Sequence, residues 1–172
     1  MKPIIGIILI LSLSIISCNQ SSENQNSEFD WGKISNNLKD SLIHMANSER
    51  IPNSIEGVAA TEPKDYSKLV WILNNIKVEE LKKLLYEHPS GEIKGIAAKG
   101  LIRKKDDKLF EHFKYAIKED VNVKYYMFCQ KLGGYFLGEL THGVPSNLEF
   151  YFSESEIEEL NKMINEQNFE CE

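Results

Sequence analysis

The stretch from Glu79 to Asp120, EELKKLLYEHPSGEIKGIAAKGLIRKKDDKLFEHFKYAIKED, decides the fold class of this chain. Its first part carries Leu81, Leu84 and Leu85, and leucines at this spacing share one face of a helix. Pro89 ends that helix near residue 88, because a proline disfavours the α conformation of the residue before it. The stretch therefore begins with an amphipathic helix that stops at a turn.

Two further helices follow in the same stretch. Ser90 has the side chain of a helix N-cap, and the apolar residues after it repeat at helical spacing. This second helix also carries small residues that would let a neighbouring helix approach closely: Gly95, Ala97, Ala98 and Gly100. A third helix is predicted from about Asp107 to Glu119. Three consecutive helices predict an all-α fold.

Helical periodicity extends to both sides of this stretch. The segments from Ile34 to Met45 and from Leu69 to Ile76 each carry one apolar stripe. Ser153 and Glu156 have the pattern of a capping box, which predicts a last helix ending near Glu166.

The region after Asp120 is harder to interpret. Between residues 121 and 130 apolar and polar residues alternate in a way that suits a strand as well as a helix, and this choice stays open. The glycines and Pro145 predict that residues 133–145 form only short pieces. The fold alternatives are thus an irregular helical bundle, or an α+β fold with a small strand element in residues 121–152.

Part of the deciding stretch resembles a HEAT-type repeat. The resemblance is carried by His88-Pro89-Ser90, by Ile93-Lys94, and by Ala97-Ala98 followed by Leu101. These residues have the order of a helix, a proline-containing turn, and a second helix with a small-residue face. The resemblance implies a short stack of antiparallel helix pairs, and such stacks bind proteins on a concave surface.

The N-terminal residues predict export. Lys2 gives a positive start, and Ile4 to Ile16 is an almost unbroken apolar run with the length of a signal-peptide core. Residues 15–18, Ile-Ile-Ser-Cys, resemble a lipobox, which implies that the signal peptide is residues 1–17 and that Cys18 carries a lipid. The alternatives are a secretory signal without lipid and an uncleaved N-terminal anchor.

Residues 18–28 are predicted to be the lipidated cysteine and a polar tether, and residues 29–172 a single helical domain. The residue after Cys18 is Asn19 rather than Asp, and this favours the outer membrane, on its periplasmic or its surface face. The chain is therefore predicted to be attached to a membrane through its lipid.

The charge of the chain excludes one class of partner. The formal net charge is −6, and removal of Lys2 with the signal peptide makes it −7. Nucleic-acid binding requires clustered Lys and Arg, and the basic run at residues 103–105 is followed directly by two aspartates. We therefore expect a protein partner and no nucleic acid.

No catalytic or metal-binding motif is present in the sequence. The four histidines are not at metal-ligand spacing, and no cofactor fingerprint occurs, so no catalytic residue, metal or cofactor is predicted. Asp106-Asp107 and the other acidic pairs are interpreted as solvated charges near helix ends. His88 and His112 are interpreted as solvated or capping residues. Cys129 and Cys171 are predicted either to form a disulfide or to remain independent thiols.

The candidate interaction residues are basic and aromatic. They are Lys94, Arg103, Tyr125, Tyr126, Tyr135 and His142. The aromatic stretch from Tyr125 to Phe152 has two interpretations, core packing or an exposed binding surface, and core packing is preferred. Two functions follow: an envelope lipoprotein that binds a protein, for example as an immunity protein against a toxin, or an envelope hydrolase with a site in the 133–147 loops.

Overall fold

The computed structural model describes residues 29–48, 50–52, 65–125, 128–141 and 147–170. These residues form a mainly helical fold with a small two-stranded antiparallel sheet, which confirms the predicted helical class with a small strand element. The predicted signal peptide, Cys18 and the predicted tether lie outside the described residues. In the part of the chain that the structure describes, no helix has the length and apolar character needed to cross a membrane.

The elements follow one another closely along the chain. In order they are α1 Asn36–Ala46, α2 Tyr66–Asn75, α3 Val78–Glu87, α4 Gly91–Lys104, α5 Leu109–Lys118, β1 Asn122–Tyr125, β2 Phe128–Lys131, α6 Leu132–Thr141 and α7 Glu154–Asn165. Single 3-10 turns occur at Trp31–Lys33 and Asn147–Phe150. The limits of α1, α3, α4, α5 and α7 agree with the periodicity of the sequence to within about two residues, which is the usual uncertainty of helix ends.

The turn between α3 and α4 forms as predicted. The Ser90 hydroxyl accepts a hydrogen bond from the backbone N–H of Ile93 at 3.4 Å, and the backbone N–H of Ser90 donates to Nδ1 of His88 at 3.0 Å. At the other end of α4, Lys105 adopts a left-handed conformation with φ of 51° and stops the helix. The capping box at the start of α7 is also present, since the backbone N–H of Ser153 donates to Glu156 at 2.8 Å.

Helix α4 lies at the centre of the fold and is buried on most of its surface. A Cβ atom at Gly100 would lie 2.5 Å from Leu81 of α3, and one at Gly95 would lie 3.2 Å from Tyr135 of α6. At Gly91 it would lie 1.8 Å from the backbone oxygen of Asn122 in β1. The predicted small-residue face therefore does allow neighbouring elements to approach α4 closely.

The open choice for residues 121–130 is settled in favour of strands. β1 pairs with β2 in antiparallel register, with Asn122 opposite Lys131. Two isolated bridges extend this hairpin: Ile51 pairs with Tyr125 in parallel, and Gln130 pairs with Glu170 in antiparallel orientation.

The prediction of short pieces in residues 133–145 is wrong for the described part, because α6 runs unbroken from Leu132 to Thr141. Glycines Gly133 and Gly134 lie where side chains would collide with Ile117 and Phe169. Close packing therefore explains these glycines better than chain breaking does. Residues 142–146 lie outside the described residues.

The aromatic residues of this region mostly belong to the core. Phe136 of α6 is fully buried and stacks on Phe113 of α5 with ring centroids 5.1 Å apart. Tyr135 and Phe152 are buried as well. Phe128 and Phe150 differ from them, since 59% and 81% of their surfaces are exposed.

Candidate functional site

The predicted interaction residues do not form one surface. Lys94 is buried: its ammonium donates to the Tyr115 hydroxyl at 2.8 Å and lies 3.4 Å from the Glu119 carboxylate. Tyr135 is buried in the core. The prediction that these two side chains belong to an exposed surface is therefore wrong, because both complete contacts inside the domain.

The remaining members of that predicted set are separated. Arg103 is exposed on the last turn of α4. Tyr125 is half-buried on β1, and its hydroxyl donates to the Gln130 side chain at 2.9 Å. Tyr126 and His142 lie outside the described residues, as do Cys18 and Cys171. Cys129 is disulfide-bonded, and its pairing with Cys171 stays a prediction.

A cleft opens instead between the α4–α5 turn with the start of α5 and the segment that leads into α7. Its volume is about 490 Å³, and it is lined by Lys105, Asp106, Asp107, Leu109, Phe110, Phe150, Tyr151 and Glu156. The α4–α5 turn supplies one wall, and the 3-10 turn with the start of α7 supplies the other. The lining thus combines aromatic rings with three carboxylates and a single ammonium group.

Local structure holds each wall in position. The left-handed Lys105 reverses the chain after α4, and the Asp106 carboxylate accepts a hydrogen bond from the backbone N–H of Lys108 at 3.0 Å. On the opposite wall, Phe152 is buried against Phe110 with ring centroids 6.0 Å apart. Phe152 therefore fixes the segment from which the Phe150 ring projects into solvent.

Asp106 connects the cleft, through the buried His112, to the hydroxyl of Tyr86, a residue that is 40% exposed. The Asp106 side chain is only 4% exposed, with one oxygen 2.9 Å from Nε2 of His112 and the other 3.2 Å from the Lys82 ammonium. Nδ1 of His112 lies 2.5 Å from the Tyr86 hydroxyl. With Nε2–H donating to Asp106, Nδ1 is the acceptor for the Tyr86 O–H, so the ring fits its neutral form.

The interpretation of Asp106 and His112 as solvated groups is therefore wrong, since both side chains are buried and bonded to each other. Burial raises the pKa of Asp106, but the hydrogen bonds from Lys108, His112 and Lys82 outweigh this effect and lower the pKa overall. Burial and the charges of Glu111 and Asp106 raise the pKa of Tyr86. The Tyr86 phenol consequently stays protonated at neutral pH.

A second buried histidine holds the start of the domain. His88 packs against the rings of Phe29 and Trp31, with centroids 4.7 and 5.3 Å away. It is buried rather than solvated, although its bond to the Ser90 N–H fits the predicted capping role. Burial and the charge of Lys94 lower the pKa of His88 to about 4.

The domain uses one arrangement of three groups repeatedly. A lysine ammonium lies over an aromatic ring and also approaches a carboxylate. The three cases are Lys83 with Phe29 and Glu87, Lys94 with Tyr115 and Glu119, and Lys114 with Phe110 and Glu159. The distances from ammonium to ring centroid are 5.0, 5.2 and 4.9 Å. Each ammonium is thus attracted by a ring face and by a full negative charge.

Sequence patterns gave little indication of the cleft. Asp106 and His112 are six residues apart, a spacing that no helical face brings together, and Tyr86 comes from a different helix. The exposure of Phe150 follows from the tertiary position of its turn. Within the described ranges, no group of three or more His, Cys, Asp and Glu side chains is placed to hold a metal ion.

No protein-family model, curated protein or solved structure matches this chain.

Proposed function

We propose that this chain is a lipid-anchored lipoprotein of the cell envelope whose helical domain binds a protein partner. The proposed anchor is Cys18, and Asn19 favours the outer membrane. The observation that carries the binding role is Phe150, a large aromatic side chain that is 81% exposed at the edge of an open cleft. Exposed aromatic side chains beside a cleft are typical of binding surfaces.

We also propose that the helical domain has a HEAT-like arrangement, and the packing of the helices supports this. α3 packs on α4, α5 packs on α6, and α4 also contacts α6, so two neighbouring helix pairs share a core. The hairpin of β1 and β2 lies between α5 and α6 in the chain, where a simple repeat would have a loop. We infer a short stack of two helix pairs with an inserted hairpin.

A hydrolase is the second candidate, and the Asp106, His112 and Tyr86 series is the observation in its favour. The predicted hydrolase region is less suitable, because residues 132–141 form a helix with Tyr135 and Phe136 in the core. The raised pKa of Tyr86 also disfavours a phenolate nucleophile at neutral pH. A hydrolytic activity of the isolated chain that is lost in Tyr86→Phe would favour this second candidate.

Cross-linking from the cleft tests the binding proposal. A photoreactive amino acid is placed at position 150 in cells that express the full chain, and at position 128 as the control. Phe128 is a suitable control because it is another exposed phenylalanine, 59% accessible, on the separate β hairpin. We expect one dominant protein adduct from position 150 that is absent from position 128.

The same experiment in a Cys18→Ser background tests the anchor. Loss of lipidation should release the chain from the membrane fraction and reduce the yield of the adduct, because membrane attachment keeps the chain and an envelope partner close together. Equal adducts from positions 150 and 128, or none from either, would contradict the binding proposal. An unchanged membrane fraction in Cys18→Ser would contradict the lipid anchor.

A further inference from the structure

We propose that the cleft binds a lysine side chain from a basic segment of the partner protein. This inference rests on the proposed function, because it names the chemistry of the group that occupies the cleft. It starts from the arrangement of ammonium, ring and carboxylate that the domain forms three times with its own lysines.

The cleft contains two of the three components of that arrangement. Phe150 supplies an exposed ring, and Asp107 and Glu156 supply carboxylates in the same lining. Among the residues that the structure describes, no ammonium lies over the Phe150 ring. The missing component is therefore a cation that arrives from outside the domain.

The distribution of charge identifies Asp107 as its main electrostatic partner. Asp106 is already paired with the Lys82 ammonium and accepts a hydrogen bond from neutral His112, and Glu156 accepts hydrogen bonds from Ser153. Asp107 is exposed and forms no ion pair with another described residue. Lys105 offsets only part of the negative charge of the lining.

The neighbouring Phe110 ring shows that this part of the domain accommodates a lysine. The Lys114 ammonium lies 4.9 Å from the centroid of Phe110 and 2.6 Å from the Glu159 carboxylate. A lysine in the cleft would likewise lay its apolar stem on Phe150 and bring its ammonium towards Asp107. Binding uses both the apolar contact of the stem with Phe150 and the attraction of the ammonium to Asp107. A neutral side chain lacks this attraction, and an anionic side chain would be repelled by the carboxylates.

The test uses the full chain as isolated from cells, with an acetylated and amidated pentalysine peptide as the probe. Binding is measured from backbone amide shifts in nuclear magnetic resonance. The matched control peptide carries acetylated lysine side chains, which keep the stem but remove the charge. We expect the pentalysine peptide alone to shift residues 105–110 and 148–156.

Two pairs of variants locate the contact. Asp107→Asn and Phe150→Leu should each weaken pentalysine binding about threefold or more, a size typical of exposed cation–ring and ion-pair contacts. Asp40→Asn on α1 and Phe128→Leu on the hairpin make the same changes at exposed positions elsewhere and should leave binding unchanged. Unchanged amide shifts far from each substitution verify that the variants are folded.

Equal binding of the acetylated peptide, or shifts spread over the whole acidic surface, would overturn the inference. Failure of this inference is distinguishable from failure of the proposed function. A protein adduct at position 150 without pentalysine binding would preserve the binding module and overturn its lysine specificity. Pentalysine binding without any adduct in cells would preserve the chemistry of the cleft and contradict the function proposed for it.

Discussion

His88 shows at the scale of a single residue how burial dictates chemistry. Because the Ser90 N–H donates to Nδ1, the ring hydrogen of the neutral form lies on Nε2. Nε2 of His88 and Nε1 of Trp31 are buried without hydrogen-bond partners among the described residues. A buried donor without a partner costs about 1–3 kcal/mol. The packing of Phe29, Trp31 and His88 must offset that cost.

The low pKa of His88 predicts a stability that falls in acid. The unfolded chain binds a proton near pH 6.5, whereas the folded chain binds it only near pH 4. Above pH 6.5, His88 therefore leaves the free energy of unfolding unchanged. As the pH falls from 6.5 to 4, protonation of His88 in the unfolded chain lowers the free energy of unfolding by up to about 3 kcal/mol. The free energy of unfolding, measured with urea, should differ less between pH 7 and pH 4.5 in His88→Gln than in the unaltered chain.

The matched control for that measurement is His44→Gln, because His44 is an exposed histidine. This variant should retain the acid-dependent loss of stability. Equal pH dependence of His88→Gln and the unaltered chain would contradict the role assigned to His88.

We predict that the same substitution, glycine to alanine, has opposite effects on stability at two positions. A Cβ at Gly91 would overlap the backbone of Asn122, whereas one at Gly138 would meet no atom of the described residues within 4 Å. Gly91→Ala should destabilise the chain by about 1–3 kcal/mol or more through overpacking. Gly138→Ala should stabilise it by about 0.5–1 kcal/mol, because alanine is the better helix former. Melting temperatures that shift in the same direction would contradict this assignment.

At the scale of elements, helix α6 explains where prediction from local sequence fails. Each glycine in a helix interior costs about 1 kcal/mol relative to alanine, which made residues 133–138 unfavourable for a helix. Burial of a large side chain contributes about 1.5–3 kcal/mol, and α6 buries both Tyr135 and Phe136. Tertiary packing therefore outweighs propensity here.

The other helices were predictable because their apolar residues already lie on one face. α3 and α5 each carry a well-defined apolar stripe, and their ends have recognisable signals such as Pro89. The strands were ambiguous because alternating apolar and polar residues over so short a segment suit a strand as well as a helix. The bridges from Ile51 and Glu170 that extend the hairpin come from distant parts of the chain and are not visible in the local sequence. The cleft was not predicted either, because its walls come from three separate elements whose relative positions depend on tertiary packing.

The contact between α3 and α5 gives an element-level prediction. Tyr86→Phe removes only the hydroxyl that donates to His112, and it leaves a buried ring nitrogen without its donor. We expect a loss of about 1–3 kcal/mol in the free energy of unfolding. Tyr151→Phe removes a hydroxyl from a half-buried tyrosine at the cleft and should change stability little. Equal urea midpoints for the two variants would rule out a structural role for the bond.

At the scale of the whole molecule, the hairpin joins distant parts of the chain. Ile51 pairs with β1, and Glu170 pairs with β2. The backbone N–H of Lys131 also donates to the Phe169 oxygen at 2.8 Å. The hairpin therefore connects α4 to segments from both sides of the central helices.

This arrangement predicts the partner of Cys129. Gln130 lies opposite Glu170, so an antiparallel register continued beyond the described residues would bring position 129 opposite position 171. Peptide mapping without reduction should recover Cys129 linked to Cys171. Reduction should lower the free energy of unfolding by about 2–4 kcal/mol, a range typical of native disulfides. Recovery of Cys129 linked to Cys18 would contradict both this pairing and the lipid on Cys18.

The docking of Phe29 and Trp31 beside His88 also decides how the domain responds to force. A pull on the chain ahead of Phe29 acts first on these ring contacts and on the 3-10 turn at Trp31–Lys33, which can separate without breaking an α-helix. Release of residues 29–34 would lengthen the chain by at most about 20 Å, given about 3.5 Å for each extended residue. Single-molecule pulling should show this extension as a separate step before the helices unfold. If no separate step occurs, residues 29–34 unfold together with the helices. With the proposed lipid anchor, residues 29–34 would therefore act as a short extensible linker that limits mechanical strain on the cleft.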